Sequence, residues 1–82
     1  MVINLRNYLP KKKYVLTSEE IYVDNYVLYR IKACRKFNDV RAGDLGGFIE
    51  YKSNLDNRDT CWVYKDAKVY GNAQITGNAS GI

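Results

Sequence analysis

Three six-residue units follow one another near the end of this chain: Val63-Tyr-Lys-Asp-Ala67-Lys, Val69-Tyr-Gly-Asn-Ala73-Gln and Ile75-Thr-Gly-Asn-Ala79-Ser. Ala67 and Ala73 each stand two positions before the aliphatic residue of the next unit, so both side chains point to the same face of a strand. A period of six matches neither the roughly 3.6-residue repeat of a helix nor the even alternation of a flat sheet. It predicts a short strand and a corner in turn, with Gly-Asn at the corner because both residues tolerate a left-handed backbone.

These units resemble the hexapeptide-repeat family, whose fold is a left-handed parallel β-helix with three hexads in each triangular coil. The upstream stretches Leu28–Ala33, Gly43–Glu50 and Cys61–Val63 are similar to small hexapeptide-repeat proteins of bacterial genomes and their phages. The resemblance implies an all-β fold and says almost nothing about function.

Three hexads make a coil of about 18 residues, which predicts that residues 18 apart stack on one another. This register places Leu45 under Val63, Ile49 under Ala67 and Leu55 under Ala73. It also aligns two corners, Ser53-Asn54 under Gly71-Asn72 and Asp59-Thr60 under Gly77-Asn78. We therefore predict one domain, with an N-terminal β cap over 1–42 and a β-helix over 43–82 whose two coils are 43–60 and 61–78.

Several β-prone runs precede the repeats. Short strands are predicted at Tyr14–Leu16 and Ile21–Val23 with a polar loop or a helical turn between them, and a long strand at Tyr26–Phe37 after a turn at Asp24-Asn25. Antiparallel pairing of these strands would cap one end of the coils. Met1–Leu9 alternates weakly and fits either a short strand or an arm.

Positive charge is concentrated in the first half of the chain. Residues 1–41 carry 9 Lys+Arg against 4 Asp+Glu, and the whole chain has a net charge of +4. One cluster of basic residues is a triplet, Lys11, Lys12 and Lys13. A second is a stripe along one face of the predicted long strand, formed by Arg30, Lys32 and Lys36. They suit contact with nucleic acid or another acidic partner, or else a solvated loop and a protected sheet edge.

Residue types that carry catalysis are scarce. The chain has no histidine, and the resemblance implies a histidine base for the acyltransferases with this fold. Without histidine no serine or cysteine has the partner of a triad. The two cysteines, Cys34 and Cys61, are too far apart in sequence for a metal knuckle and are expected to be reduced. We therefore predict no enzyme, no catalytic residue, no metal and no cofactor.

Three aromatic residues of the repeats alternate with residues expected to point inward. Trp62, Tyr64 and Tyr70 should therefore face outward, where they either contact a partner or cover the seam with the cap.

These features predict a non-catalytic protein-binding module. The resemblance to phage-carried proteins implies a host or defence-system protein, including a nucleoprotein complex, as the partner, with surface occlusion of the anti-CRISPR type as its mechanism. The alternatives are a self-assembling repeat protein and a nucleic-acid binder. The last coil lacks a cap in the sequence, which predicts a homo-oligomer through that coil. No apolar run is long enough to cross a membrane or to act as a signal peptide, so a cytoplasmic location is expected.

Overall fold

A computed structural model of the protein describes residues 12–78. Lys11 and the predicted strand or arm at Met1–Leu9 lie outside the described residues. The chain forms four strands, β1 (Tyr14–Val23), β2 (Tyr26–Ala33), β3 (Leu45–Ile49) and β4 (Lys68–Val69), with one 3-10 turn at Lys52–Asn54. The strands make one sheet in the order β1-β2-β3-β4. The predicted all-β fold class is confirmed.

The first two strands form an antiparallel hairpin in register from Tyr14↔Ala33 to Val23↔Tyr26. Asp24 adopts a φ of 52° in the connecting turn, a left-handed conformation that Asp tolerates. β1 runs through residues 17–20, where a polar loop or helical turn was predicted, and absorbs them in a bulge between Leu16 and Glu20. β2 ends at Ala33 rather than at Phe37, because Phe37 pairs with Val40 in a tight turn.

The hairpin continues into the repeat region through β3, which pairs antiparallel with β2 and parallel with β4. We call residues 43–60 the first pass and residues 61–78 the second pass of the chain through the repeat region. Two glycines of β3 allow the second pass to approach the first closely. A Cβ on Gly46 would lie 2.6 Å from the Val63 carbonyl oxygen, and one on Gly47 would lie 2.5 Å from that of Ala67. Absence of a side chain at both positions is therefore a requirement of the packing.

The predicted stacking of residues 18 apart is wrong along the strands. Ile49 pairs with Val69 and Leu55 with Ile75, which in both cases is a step of 20 positions. A turn closed by the Ala67 N–H on the Tyr64 carbonyl lengthens the second pass before Val69. Hexapeptide spacing alone does not reveal this turn.

The predicted corner pair Asp59-Thr60 under Gly77-Asn78 is confirmed. Gly77 N donates to Asp59 Oδ2 at 3.0 Å, and Thr60 Oγ1 lies 3.1 Å from Asn78 Oδ1, which is 18 positions further along. The pair Ser53-Asn54 under Gly71-Asn72 is only partly correct, because the Asn54 side chain donates to the carbonyls of both Gly71 and Ala73 while Leu55 pairs with Ile75. Gly71 and Gly77 adopt φ values of 64° and 81°, the left-handed conformation expected at these corners.

One hydrophobic core lies between the hairpin and the two passes of the chain. Trp62 is at its centre, with ring centroids 6.4 Å from Tyr14 and 5.2 Å from Phe37. The buried members contributed by both halves of the chain are Tyr14, Ile31, Ala33, Phe37, Val40, Ile49, Leu55, Cys61, Trp62, Val63 and Val69. The hairpin therefore packs on the repeats as part of the same core.

Candidate functional site

The end of the sheet at β4 is a backbone edge. β4 pairs with β3, and in residues 12–78 no further strand lies beyond it. After β4 the second pass stays attached to the first through Ile75, whose N–H donates to the Asn54 carbonyl at 2.8 Å and whose carbonyl accepts from Asp56 N at 2.9 Å. Because backbone groups alternate in direction along a strand, those of Gln74 and Thr76 point away from the first pass.

Side chains at this edge are small, polar or half-buried. Ile75 packs partly on the core, while Ala73, Gln74 and Thr76 are exposed. Backbone N–H and C=O groups in such a row are a template for pairing with another chain. We call residues 73–76 the coil edge.

Lys13 lies beside Cys61, and its predicted role as an exposed basic residue is wrong. Its side chain is fully buried, and Nζ donates to the Cys61 carbonyl at 2.6 Å and lies 3.5 Å from Cys61 Sγ. Nζ also lies 5.6 Å from the centroid of the Phe37 ring. Burial lowers the pKa of Lys13 below its usual 10.5, opposed mainly by Cys61.

This burial predicts a distinct dependence of stability on pH. A lysine with a lowered folded-state pKa binds fewer protons in the folded than in the unfolded protein, so stability rises with pH in the window just below pH 10.5. Lys13→Met keeps the aliphatic length and removes the charge, so it should stabilise the fold most at neutral pH and progressively less towards pH 10.5. Urea unfolding at several pH values measures this difference.

Lys12→Met is the matched control, since Lys12 is exposed. Its effect on stability should be small and nearly independent of pH over the same range. Burial also raises the pKa of Tyr14 to about 12, so stability falls from pH 10 to 12 as the unfolded chain ionises first. The wild type, Lys13→Met and Lys12→Met all lose this stability, so the loss cancels when their free energies of unfolding are compared. A pH-independent effect of Lys13→Met would contradict the prediction.

The predicted outward aromatic set is only partly correct. Trp62 is 2% exposed because the hairpin covers the side of the repeats that was expected to face solvent. Tyr64 is half-buried and donates to Asp39 Oδ1 at 2.8 Å. Tyr70 is 36% exposed and packs on Tyr26 with a centroid distance of 4.7 Å. Their partners Asp39 and Tyr26 lie outside the repeats and have no signal in the hexapeptide pattern.

The predicted basic stripe is also divided. Arg30 is largely buried, its guanidinium lies 4.2 Å from the Phe48 ring centroid, and Nη1 donates to the Gly46 carbonyl at 2.7 Å. The other two members of the predicted stripe, Lys32 and Lys36, are exposed. Arg30 Nη1 also donates to the Lys65 carbonyl at 3.2 Å, so Arg30 links β2 and β3 to the second pass. Arg30 is thus occupied by contacts within the fold, unlike the exposed Lys12, Lys32 and Lys36.

Within the part of the chain that the structure describes, no three Asp, Glu, Cys or His side chains come together as a metal site. The same residues form no helix that is long and apolar enough to span a bilayer. Cys34 and Cys61 are not joined in a disulfide; Cys61 is buried, whereas Cys34 is half-buried.

No protein-family model matches the chain. A segment of 55 residues, 66% of the chain, is 42% identical to the uncharacterized acetyltransferase YdcK of Escherichia coli (strain K12). The matched segment covers only 17% of that relative. The chain is thus similar to a small part of a much longer protein.

This similarity corrects one prediction from the sequence. The lack of histidine led to the expectation that the chain is not an enzyme, and the name of the relative as an acetyltransferase contradicts it. Histidine content is a poor guide here because the matched segment is a small part of the relative. The predicted defence-system partner, the nucleic-acid alternative and the cytoplasmic location stay predictions.

Proposed function

We propose that this chain is a capped pair of hexapeptide-repeat coils of the acetyltransferase type, and that its coil edge pairs with the same edge of a second copy. The observation that carries the proposal is the parallel pairing of the two passes, Ile49 with Val69 and Leu55 with Ile75. Two successive contacts with the same step are the pattern of stacked coils. Similarity to an acetyltransferase supports the link to acetyl transfer.

The β1 edge of the sheet and the coil edge differ in how they meet solvent. β1 carries a bulge between Leu16 and Glu20 together with exposed acidic side chains at Glu19 and Glu20. Bulges and charges of this kind discourage pairing at an edge. The coil edge at Gln74 and Thr76 has neither, so it is the edge at which a further strand adds.

A second copy is the occupant because the coil edge is self-complementary. Two identical edges related by a twofold axis run antiparallel and exchange hydrogen bonds, and such an arrangement uses each edge once. The protected β1 edge then faces outward on both copies, which stops further growth. The expected assembly is a closed dimer rather than a fibre.

Proline in the coil edge tests this pairing. Gln74→Pro removes the N–H that points away from the first pass, while the bonds of Ile75 to Asn54 and Asp56 stay in place. Size-exclusion chromatography with light scattering should give a dimer for the wild type, whose chain mass is 9.5 kDa, and a monomer for the variant. Gln74→Ala is the matched control and should remain dimeric. A wild type that stays monomeric at millimolar concentration would overturn the pairing.

Acetyl transfer is tested on the same fractions. The dimer is mixed with an acetyl thioester and a panel of primary amines, and the release of free thiol is followed. Release should be faster with the dimer than in buffer without protein, and slower with the Gln74→Pro monomer than with the dimer. If the dimer does not accelerate thiol release, the enzymatic part of the proposal is wrong. The pairing at the coil edge is then still tested by the mass from light scattering.

A further inference from the structure

A cleft of about 530 Å³ opens between the hairpin, the loop after β2 and the second pass of the chain. Val40 and Trp62 form an apolar floor, and Leu45 and Tyr64 form part of the wall. Val40 and Trp62 are almost completely buried, whereas Leu45 is 54% exposed. The volume falls within the range of about 300–1,000 Å³ typical of small-molecule sites. None of these residues belongs to the coil edge.

The positive charge of Arg30, which also lines the cleft, is already used by the fold. Glu19 Oε2 lies 3.0 Å from Arg30 Nε, although not along its N–H bond, so this contact is electrostatic. Arg30 Nη1 donates to the carbonyls of Gly46 at 2.7 Å and Lys65 at 3.2 Å. Arg30 and Glu19 therefore compensate each other at one side of the cleft.

Two further carboxylates line the cleft without such compensation. Asp39 accepts from the Tyr64 hydroxyl at 2.8 Å, and Asp44 accepts from the backbone N–H of Arg41 at 2.9 Å. Both donors are neutral, and in residues 12–78 the ion pairs are Arg30 with Glu19 and Arg58 with Asp56. Lys65 also lines the cleft, so the two carboxylates outnumber the one uncompensated cation there.

An apolar, aromatic floor below two carboxylates is complementary to a cation with a hydrocarbon body. The ammonium group would lie at Asp39 and Asp44, and the alkyl chain would cover Val40 and Leu45. The faces of Trp62 and Tyr64 also attract cations. An anionic ligand would meet the two carboxylates instead.

We propose that this cleft binds a small organic cation, a primary ammonium ion on a short alkyl chain. The carboxylates of Asp39 and Asp44 favour a positively charged ligand. The apolar floor formed by Val40 and Trp62 favours a ligand with an alkyl chain.

The fluorescence of Trp62 reports on binding, because Trp62 is the single tryptophan of the chain and lies in the floor of the cleft. Titration with n-hexylammonium chloride should change the Trp62 emission in a saturable way. The neutral analogue 1-hexanol has the same alkyl chain, and it should bind about tenfold more weakly, since each of the two exposed ion pairs contributes up to about 1 kcal/mol. Equal affinity for the two probes would overturn the proposal.

Two variants test the assigned carboxylates. Asp39→Asn keeps an oxygen that accepts from Tyr64, and Asp44→Asn keeps one that accepts from Arg41 N, so each removes charge with little change in structure. Each should weaken hexylammonium binding by about three- to fivefold and leave hexanol binding unchanged. Asp24→Asn is the charge-matched control, because Asp24 is in the hairpin turn and Asn tolerates its positive φ.

The charge control and a second readout decide whether binding occurs at this cleft. Equal weakening by Asp24→Asn and Asp39→Asn would show a general effect of net charge and would overturn the site. Amide chemical shifts, recorded with the same probe, give a readout independent of Trp62. Changes that cluster at residues 39–45 and 62–65 support the cleft, and an absence of changes in both measurements rejects it.

Discussion

Gly47→Ala is expected to destabilise the fold by at least about 3 kcal/mol, a large part of the roughly 5–15 kcal/mol that holds a domain together. A methyl group at this position would lie 2.5 Å from the Ala67 carbonyl oxygen, 2.7 Å from Val63 Cγ1 and 2.8 Å from the Tyr64 carbonyl oxygen. Two of these atoms are backbone, so a rotamer change does not relieve the contact. The second pass would have to move away from β3, which breaks the hydrogen bonds of Gly47 and Phe48 to that pass.

The change is measured as a shift of the urea midpoint, with Gly71→Ala as the control. Gly71 has open space around its Cα and a φ of 64°, so alanine there costs only the left-handed conformation, about 1–2 kcal/mol. Similar losses in the two variants would show that the close approach of the second pass to β3 contributes little.

Asn54→Asp is expected to cost about 3 kcal/mol at pH 7, because Asn54 satisfies four backbone groups from a fully buried position. Its Oδ1 accepts from the N–H groups of Glu50 and Tyr51 at 3.1 and 2.7 Å. Its Nδ2 donates to the carbonyls of Gly71 and Ala73 at 3.2 and 2.8 Å. A carboxylate replaces the donor by a negative oxygen that faces two carbonyl oxygens.

The pH dependence of this variant distinguishes charge from shape. Burial favours the neutral form of the new carboxyl group and raises its folded-state pKa, so its destabilising effect should be smallest in acid and grow as pH rises towards 7. Urea unfolding of Asn54→Asp and of the exposed control Asn72→Asp, at pH 4.5 and pH 7, measures the difference. An equal loss at both pH values would contradict the role assigned to the Asn54 amide.

The repeat sequence predicted the local chemistry of this protein well. Left-handed glycines at Gly71 and Gly77 and the corner contact of Thr60 with Asn78 follow from residue types and spacing alone. The turn at Asp24-Asn25 follows in the same way. These features depend on backbone conformations within a few residues, and a local pattern is sufficient to predict them.

Features that depend on both halves of the chain were not predictable in this way. The cleft joins Asp39 and Asp44 to Trp62 and Tyr64, and no spacing in the sequence relates these two segments. The predicted register of the two passes was also wrong by two positions along the strands, because the turn at Tyr64–Ala67 lies within a hexad that looks regular.

The sequence by itself determined an all-β chain with repeated corners, since strand alternation and left-handed turns are set by neighbouring residues. Tertiary structure alone decided which faces are buried. Trp62 and Lys13 both belong to patterns that predict exposure, yet both are enclosed where the hairpin packs on the second pass. The physical reason is that burial depends on what covers a face, and the covering residues come from distant positions in the chain. Tyr14 and Phe37 cover Trp62, and Cys61 contacts the Lys13 ammonium group.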